Sequence, residues 1–315
     1  MKKNFLITGG AGFLGCNLTL KLIKDGHQVT IIDDFRTGKR ENLKEIDSKL
    51  KIYDRDLLGH LEDSIFENID CVIHLAANAD IRDGFLDTSK DIKQNIIVTE
   101  KLIKKVNSFK IKDFIFSSTA AIYGEPKVFP TPENIEIPIQ TSLYGTSKLA
   151  AEGILSSYAM KYDLRVSIFR FVSIVGDFYS HGHIIDFFNK LKKNPDELEI
   201  LGNGLQKKSY LHVNDMLDGI KLVIEKKHFS KKSFFEIYNI GNDEYCTVNE
   251  SAKIICDQML VKPKFVYTGG IRGWVGDSPF VFLDTTKIKK LGWTPNIIIS
   301  DAIKKTISWL IKNDK

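Results

Sequence analysis

Residues 4–15 read Asn4-Phe5-Leu6-Ile7-Thr8-Gly9-Gly10-Ala11-Gly12-Phe13-Leu14-Gly15, and this stretch decides the fold. A short apolar run meets three glycines spaced G-x-x-G-x-x-G, and an amphipathic segment follows at once. Such a run reads as a buried strand that turns sharply into a helix. Gly9 lets the chain turn tightly, Gly12 lets backbone approach a pyrophosphate, and Gly15 allows close packing of helix on strand. The amides of Phe13 and Leu14 then open the helix, where unpaired N–H groups and the positive dipole end suit a phosphate.

Working outward, near-continuous apolar runs at 4–8, 28–33, 51–53, 71–75, 113–117 and 165–170 predict strands buried on both faces. Helical patterns at 13–25, 91–107 and 143–161 separate them; in the second, Ile92, Ile96, Thr99, Ile103 and Val106 recur at spacings of three and four. Strict alternation of this kind means an α/β fold with a doubly wound parallel sheet over about residues 1–175. Beyond Gly176 the alternation loosens. Helices at 183–193, 214–226, 247–259 and 300–313 and short strands at 198–201, 209–213 and 235–240 predict a smaller C-terminal α/β lobe, residues 176–315, packed with the first as one compact unit and with some crossing of the chain between lobes.

Composition narrows the class. The 315 residues are 43% hydrophobic and 27% charged, which excludes a disordered or fibrous chain. The longest apolar runs fall short of the roughly 18 residues a membrane span needs, and the N-terminus shows no signal-peptide core. Cys16, Cys71, Cys246 and Cys256 are scattered, so neither a disulfide framework nor a zinc site is expected, and a cytoplasmic location suits them. Net charge is +5, and the one basic cluster, Lys226-Lys227 with Lys231-Lys232, lacks the interleaved aromatics of a nucleic-acid surface. His181 and His183 have no third ligand nearby, so no metal is expected.

The second strand ends in Asp33, 24 residues beyond Gly9. A carboxylate there accepts from both hydroxyls of an adenosine ribose and repels a 2′-phosphate, which favours NAD over NADP. The competing reading pairs Asp33 with Arg36 in a turn. Asp56 follows the third strand, where a carboxylate could accept from an adenine amine. Tyr144 and Lys148 lie four residues apart and so share a helix face. The fifth strand runs into Ser117-Ser118-Thr119, which brings a hydroxyl to the carboxyl edge of the sheet, the edge where such sheets bind ligands. A free phenol titrates near pH 10, so a tyrosine base near neutrality needs about 4 kcal/mol of phenolate stabilisation. Lys148 and a cationic nicotinamide can supply it, with Thr119 holding the reacting hydroxyl.

In this order and spacing the glycine turn, Asp33, Ser117-Ser118-Thr119 and Tyr144/Lys148 resemble the extended short-chain dehydrogenase/reductase family, and within it the nucleotide-sugar epimerases. The likeness runs almost end to end. It includes His74-Leu75-Ala76-Ala77, Asn95, Ser117-Ser118-Thr119-Ala120-Ala121-Ile122-Tyr123-Gly124, Leu201-Gly202-Asn203-Gly204, Ser209-Tyr210-Leu211-His212-Val213-Asn214-Asp215 and Gly276-Asp277. The resemblance implies a Rossmann-type domain over 1–175, a nucleotide-sugar-binding lobe over 176–315, NAD that stays bound through turnover, and a homodimer formed through a four-helix bundle of the 91–107 and 143–161 segments. It implies Tyr144 as base, Lys148 as its tuner and nicotinamide-ribose ligand, and Thr119 as the third member. Around the cofactor it places Gly9, Gly12, Phe13, Leu14, Asp33, Asp56, Leu57, Leu75, Ala76, Ala77, Asn95 and Ser117. Around the substrate, a nucleotide-diphosphate sugar, it places Thr119, Ala120, Tyr144, Ser173, Lys208, Arg272 and Asp277.

Relatives that dehydrate or decarboxylate sugars carry acids directly after the threonine. Ala120 and Ala121 stand there in this chain, and Ser-Ser-Thr-Ala-Ala is most similar to UDP-glucose 4-epimerases. Three positions depart from that group: Ser173 replaces the usual asparagine, Lys208 the usual arginine, and Trp274 a second arginine, with Arg272 close by. Lysine meets a diphosphate as a point charge and lacks arginine's bidentate fork, so GDP- and CDP-sugars stay open beside UDP-sugars. A 4-dehydrogenase or 4-ketoreductase with net redox change, and a non-catalytic dinucleotide-binding regulator, are the competing functions.

Overall fold

The computed structural model describes residues 2–314, with backbone only for Asp47, Arg82 and Asp83. The chain divides into two compact units. They are not the consecutive blocks 1–175 and 176–315. The first comprises Met1–Ile122, Ser142–Arg170 and Ile220–Tyr238, and the second Tyr123–Thr141, Phe171–Gly219 and Asn239–Lys315.

The first unit is organised by a seven-stranded sheet. Strands β1 (Asn4–Thr8), β2 (Gln28–Asp33), β3 (Leu50–Asp54), β4 (Cys71–His74), β5 (Asp113–Thr119) and β6 (Arg165–Phe171) are joined by a seventh, Phe234–Ile240, in the spatial order Phe234–Ile240, β6, β5, β4, β1, β2, β3. The parallel register sets Ile31 against Ile7, Ile7 against Ile73 and Ile73 against Ile115, a buried isoleucine row across four strands. Burying each contributes roughly 1.5–3 kcal/mol, which is why these segments read as continuous apolar runs. From β1 the chain winds outward through β2 and β3, then returns to the other side at β4. The sheet therefore has its switch point between β1 and β4, and a ligand crevice is expected at their carboxyl ends.

Helix α1 (Phe13–Lys24) follows the glycine turn; α2 (Val98–Ser108) and α3 (Leu143–Tyr162) cover the sheet. Val98, Leu102, Ile103 and Val106 of α2 and Ala151, Leu155 and Ala159 of α3 join one hydrophobic core with Leu6, Val72 and Phe114. Two expectations change here. The helix read at 91–107 is interrupted: Thr88–Asp91 is α-helical, Ile92–Ile97 is a π-helical stretch, and α2 follows. The widened turn carries Asn95, whose buried side chain is committed to neighbouring segments, and such π-turns re-aim one residue. The run at 235–240, read as part of the C-terminal lobe, is instead an edge strand of the large sheet, because Phe235 and Ile237 pack on this same core.

At the amino-terminal edge of the sheet Asp113 accepts from Arg165 Nε (2.7 Å) and Nη2 (2.5 Å), from the Phe229 amide (3.1 Å), and meets His228 Nδ1 at 2.8 Å; His228 Nε2 lies 2.9 Å from Ser167 Oγ. This Asp–His–Ser chain has the connectivity of a hydrolytic triad, yet all three side chains are buried at the end of β5 opposite Thr119. It is a fastener.

In the second unit Tyr210–His212 pairs in parallel with Ser173–Val175, Lys264–Tyr267 with Glu197–Ile200, and Cys246–Thr247, Lys207–Lys208 and Phe280–Val281 form a three-stranded sheet. The expected helices are present as α4 (His183–Lys193), α5 (Val213–Lys227), α6 (Val248–Met259) and α7 (Ile299–Asn313). A capping box starts α6: Thr247 Oγ1 accepts from the Glu250 amide, and Glu250 reaches back to the Thr247 amide. Helices α4, α6 and α7 pack together and bury Phe187, Leu191, Ile255 and Ile307.

Burial lifts the Asp113 carboxyl, but bonds from Arg165 and His228 outweigh it and hold the group below the ordinary carboxylate range. Its contribution to stability is therefore present above the unfolded value near 3.9 and is lost as pH falls through the lower folded value. Asp113→Ala, which leaves Arg165 and His228 without their buried acceptor, is expected to cost about 3–5 kcal/mol in urea unfolding at neutral pH. Loss below about 1 kcal/mol would remove the fastener role.

Candidate active site

The glycine turn is built as its spacing predicts. Gly9 has φ +71°, and a Cβ there would lie 2.8 Å from the Ala76 amide; a Cβ on Gly15 would lie 1.9 Å from the Gly9 carbonyl. Both positions exclude a side chain. At Gly12 a Cβ would meet only the Gly9 carbonyl at 3.4 Å, so the protein leaves that face open. Gly12 is also the N-cap of α1 and, as a glycine, brings no capping side chain of its own. Phe13 and Leu14 open that helix, whose N-terminal dipole end favours negative charge. These features fit a dinucleotide pyrophosphate, the open Gly12 face most directly.

Asp33 lies at the carboxyl end of β2. Its Oδ2 accepts from the Ala11 amide and its Oδ1 from the Phe35 amide, each at 2.9 Å. Burial raises its carboxyl above the ordinary value against the pull of those amides. The pairing with Arg36 does not form: Arg36 binds Asp34 and lies 3.5 Å from Asp56. Asp33 thus shapes the glycine turn from the carboxyl end of β2. Asp56 has a competing role, since it holds Arg36 and accepts from the Leu58 amide at 2.8 Å. Leu57 is buried in the core, whereas Leu75, Ala76 and Ala77, just past β4, stay half-exposed.

The reacting residues come together at the end of β5. Ser142 caps α3 by accepting from the Gly145 amide at 3.0 Å, which puts Tyr144 in the first turn, where the helix dipole favours a phenolate. β5 extends two residues beyond the sequence expectation and so carries Thr119. The Thr119 hydroxyl accepts from the Ala121 amide at 3.1 Å, leaving its own proton for the hydrogen bond with Tyr144. Lys148, only 2% exposed, donates to the Ser117 carbonyl at 2.9 Å, with its ammonium 4.5 Å above the Phe116 ring.

Burial pushes the Tyr144 phenol up to about 12, with Thr119 opposing and Asp91 adding to the rise. Burial also pulls Lys148 down to about 7, against the charges of Glu152 and Asp91. A tyrosine so raised needs nearby positive charge to act as a base, and a cationic pyridinium would supply it.

Asn95 takes a positioning place rather than an open one. Its Oδ1 accepts from the Asn78 amide at 2.8 Å, and its Nδ2 donates to Ser147 Oγ at 2.8 Å, one residue before Lys148. His74 is buried, and burial lowers it to about 3. A directed chain fixes its tautomer: the Ala76 amide donates to Thr8 Oγ1, which donates to His74 Nδ1, while Nε2 donates to Thr99 Oγ1, which donates to the Asn95 carbonyl. The sequence reading missed Glu152 and Asp91, two buried acids near Lys148. The signal for Glu152 was available: it lies one helical turn beyond Lys148 on a buried face.

In the second unit Lys208 Nζ donates to Asp277 Oδ1 at 2.6 Å and to the Ser278 carbonyl. Arg272 Nη1 donates to Glu125 and, at 2.8 Å, to the Asp277 carbonyl. Lys208, Arg272 and Asp277 are therefore neighbours. Ser173 is exposed, and Trp274 is a surface aromatic. His183 bonds Ser251 Oγ at 3.0 Å.

The glycine turn, the buried acid Asp33 at the end of β2 and the residues Thr119, Tyr144 and Lys148 near the end of β5 have the chemistry that a dinucleotide-dependent enzyme acting on a carbinol or carbonyl carbon would need. Residues 5–241 match the NAD-dependent epimerase/dehydratase family, and the chain belongs to that family. It is 30% identical to the putative UDP-glucose 4-epimerase of Methanocaldococcus jannaschii over 98% of this chain and 99% of that one. The solved UDP-glucose 4-epimerase of Thermotoga maritima with UDP-glucose is 31% identical, with a TM-score of 0.87 over 99% of this chain and all of that one. The UDP-glucuronic acid 4-epimerase of Bacillus cereus, solved with UDP-glucuronic acid and NAD, shares the fold at 24% identity and a TM-score of 0.89, covering 98% and 99% of the two chains. This chain is an NAD-dependent nucleotide-sugar epimerase-type enzyme.

Asp33→Ala is expected to weaken NAD more than NADP in calorimetric titrations of the cofactor-stripped protein. An unchanged ratio of the two affinities would leave Asp33 only its role in shaping the turn.

Proposed function

We propose that this enzyme interconverts UDP-hexoses that differ at C4. The observation that supports it most is the pair Thr119–Tyr144 followed by Ala120 and Ala121: an apparatus for one hydroxyl proton, with no titratable side chain at the next two positions to work on a neighbouring carbon. Dehydration or decarboxylation needs such a second group.

In this reading Tyr144, as phenolate, takes the proton from the C4 hydroxyl while Thr119 orients that oxygen. NAD, which the glycine turn and Asp33 would hold, would supply the hydride exchange at C4. The proton held on Tyr144 goes back to O4, so the protein ends as it began. Inversion requires that the 4-keto sugar present its other face before the return. Lys148 stabilises the phenolate and holds the nicotinamide ribose, and Asn95 positions Lys148 through Ser147. Ala120 leaves room beside the sugar. The nucleotide-sugar-binding role falls to Ser173, Lys208, Arg272 and Asp277, with the two cations facing the diphosphate. For that, Lys208 must exchange part of its pairing with Asp277 for phosphate oxygens, a lysine arrangement that favours charge over bidentate fit.

The assembly proposed is a homodimer through a four-helix bundle of the α2 and α3 segments, for which exposed Ile97 and Met160 offer apolar surface. A cytoplasmic location is supported by four free, buried cysteines; among the described residues no helix is long and apolar enough to cross a membrane.

Purified protein incubated with UDP-glucose and no added cofactor should yield UDP-galactose by NMR. Consumption of added NAD without interconversion would instead identify a net dehydrogenase. Tyr144→Phe should lose at least about a hundredfold in turnover, as expected for a general base, while keeping its bound dinucleotide; near-normal turnover would take the base role away from Tyr144.

A further inference from the structure

The last three residues of β5 are each fastened to α3. Lys148 donates to the Ser117 carbonyl at 2.9 Å, Ser118 Oγ donates to Glu152 Oε1 at 2.5 Å, and Thr119 bonds Tyr144. Tyr144, Lys148 and Glu152 recur every four residues, so one face of α3 meets three consecutive strand residues; Cβ atoms four apart lie about 5–6 Å from one another. Glu152 is 4% exposed and is clamped from β6 by Arg170, with Nε at 3.1 Å from Oε1 and Nη2 at 2.6 Å from Oε2. A buried ion pair of this kind is weak evidence for stability, since well-packed apolar residues do as well. Its position one turn from a buried lysine calls for a different account.

We propose that Glu152 is a positioning residue for proton transfer: held by Arg170 and Ser118, its carboxylate registers α3 against the end of β5 and supplies the countercharge for the Lys148 ammonium. The other groups around that ammonium do not supply enough. Asp91 is the second acid, from the Thr88–Asp91 helix, and is shared with Asn78 Nδ2 at 2.9 Å. From β4, His74 is neutral above about pH 3, and from β5 come only a carbonyl and the Phe116 ring. On α3 itself the remaining partner is Tyr144, whose phenolate needs the lysine charged. Arg170, on β6, carries positive charge and is neutralised by Glu152. Removing the Glu152 charge therefore makes the lysine lose its proton at lower pH, and the phenolate loses its partner.

Glu152→Gln, Glu152→Asp and the double variant Glu152→Gln/Arg170→Gln, in the NAD-loaded full chain, separate this role from a structural one. The kinetic arm rests on the epimerase reading. With UDP-glucose, Glu152→Gln should move the alkaline limb of the kcat profile down by about one pH unit or more, with KM little changed. Glu152→Asp, which keeps the charge, should restore the limb. The double variant leaves no orphaned arginine, should fold like the native chain by circular dichroism, and should show a displacement in the same direction but smaller, because the Arg170 charge is gone as well. The second arm needs no sugar: the phenolate absorbance that Tyr144 contributes at mildly alkaline pH, taken against Tyr144→Phe, should shrink in Glu152→Gln and recover in Glu152→Asp. If the native protein leaves UDP-glucose unchanged while the absorbance behaves so, the epimerase reading fails and this one stands. An unmoved limb with unchanged phenolate absorbance, or a native protein with no Tyr144 phenolate signal at all, overturns the proposal.

Discussion

An ammonium group buried beneath the end of a β-strand is the constraint around which this site is arranged. Lys148 can keep its charge only if the protein replaces the water it has lost, and one carbonyl and one ring face are too little. Glu152 and Asp91 offset part of that loss, and each brings further partners: Arg170 and Ser118 around the first, Asn78 and Asn95 around the second. The same burial that burdens the lysine keeps the tyrosine protonated. A positive charge brought close to the phenol would work against that rise and favour the phenolate.

The glycine turn imposes a second, steric constraint. Gly9, Gly15 and Ala76 bring β1, α1 and the loop after β4 closer than any side chain permits. The polar chain from Ala76 through Thr8, His74 and Thr99 to Asn95 crosses the same region and leaves none of these groups without a partner. Because each hydroxyl donates in one direction only, the imidazole has a single allowed tautomer, and its burial favours the neutral ring.

Much of this was legible in the chain. Parallel strands buried on both faces leave continuous apolar runs, and a glycine trio between a strand and a helix has few other uses, so β1, α1, β2 and β4 and the positions of Gly9, Gly12, Gly15 and Asp33 could be read directly. Spacing and strand-end placement single out Tyr144, Lys148 and Thr119 as candidates, and the fold brings Thr119 next to Tyr144. Other features were hidden for physical reasons. A π-turn has no periodicity of its own, so Ile92–Ile97 passed for ordinary helix. Buried acids such as Glu152 and Asp91 look like surface residues until their partners on other elements are known. The destination of Phe234–Ile240 is a tertiary choice: the run is short and apolar, and nothing within it states which sheet it will join.

That last strand bears on how the molecule is made. The large sheet is complete only when a segment some two hundred and thirty positions along has emerged from the ribosome, after two of the three stretches of the second unit have already been synthesised. Until then β6 presents a bare edge of unpaired amides and carbonyls, the sort of template on which nascent chains stick to one another. Neither unit can be obtained by cutting the polypeptide once, and a fragment ending near residue 175 would be left with an open-sided sheet.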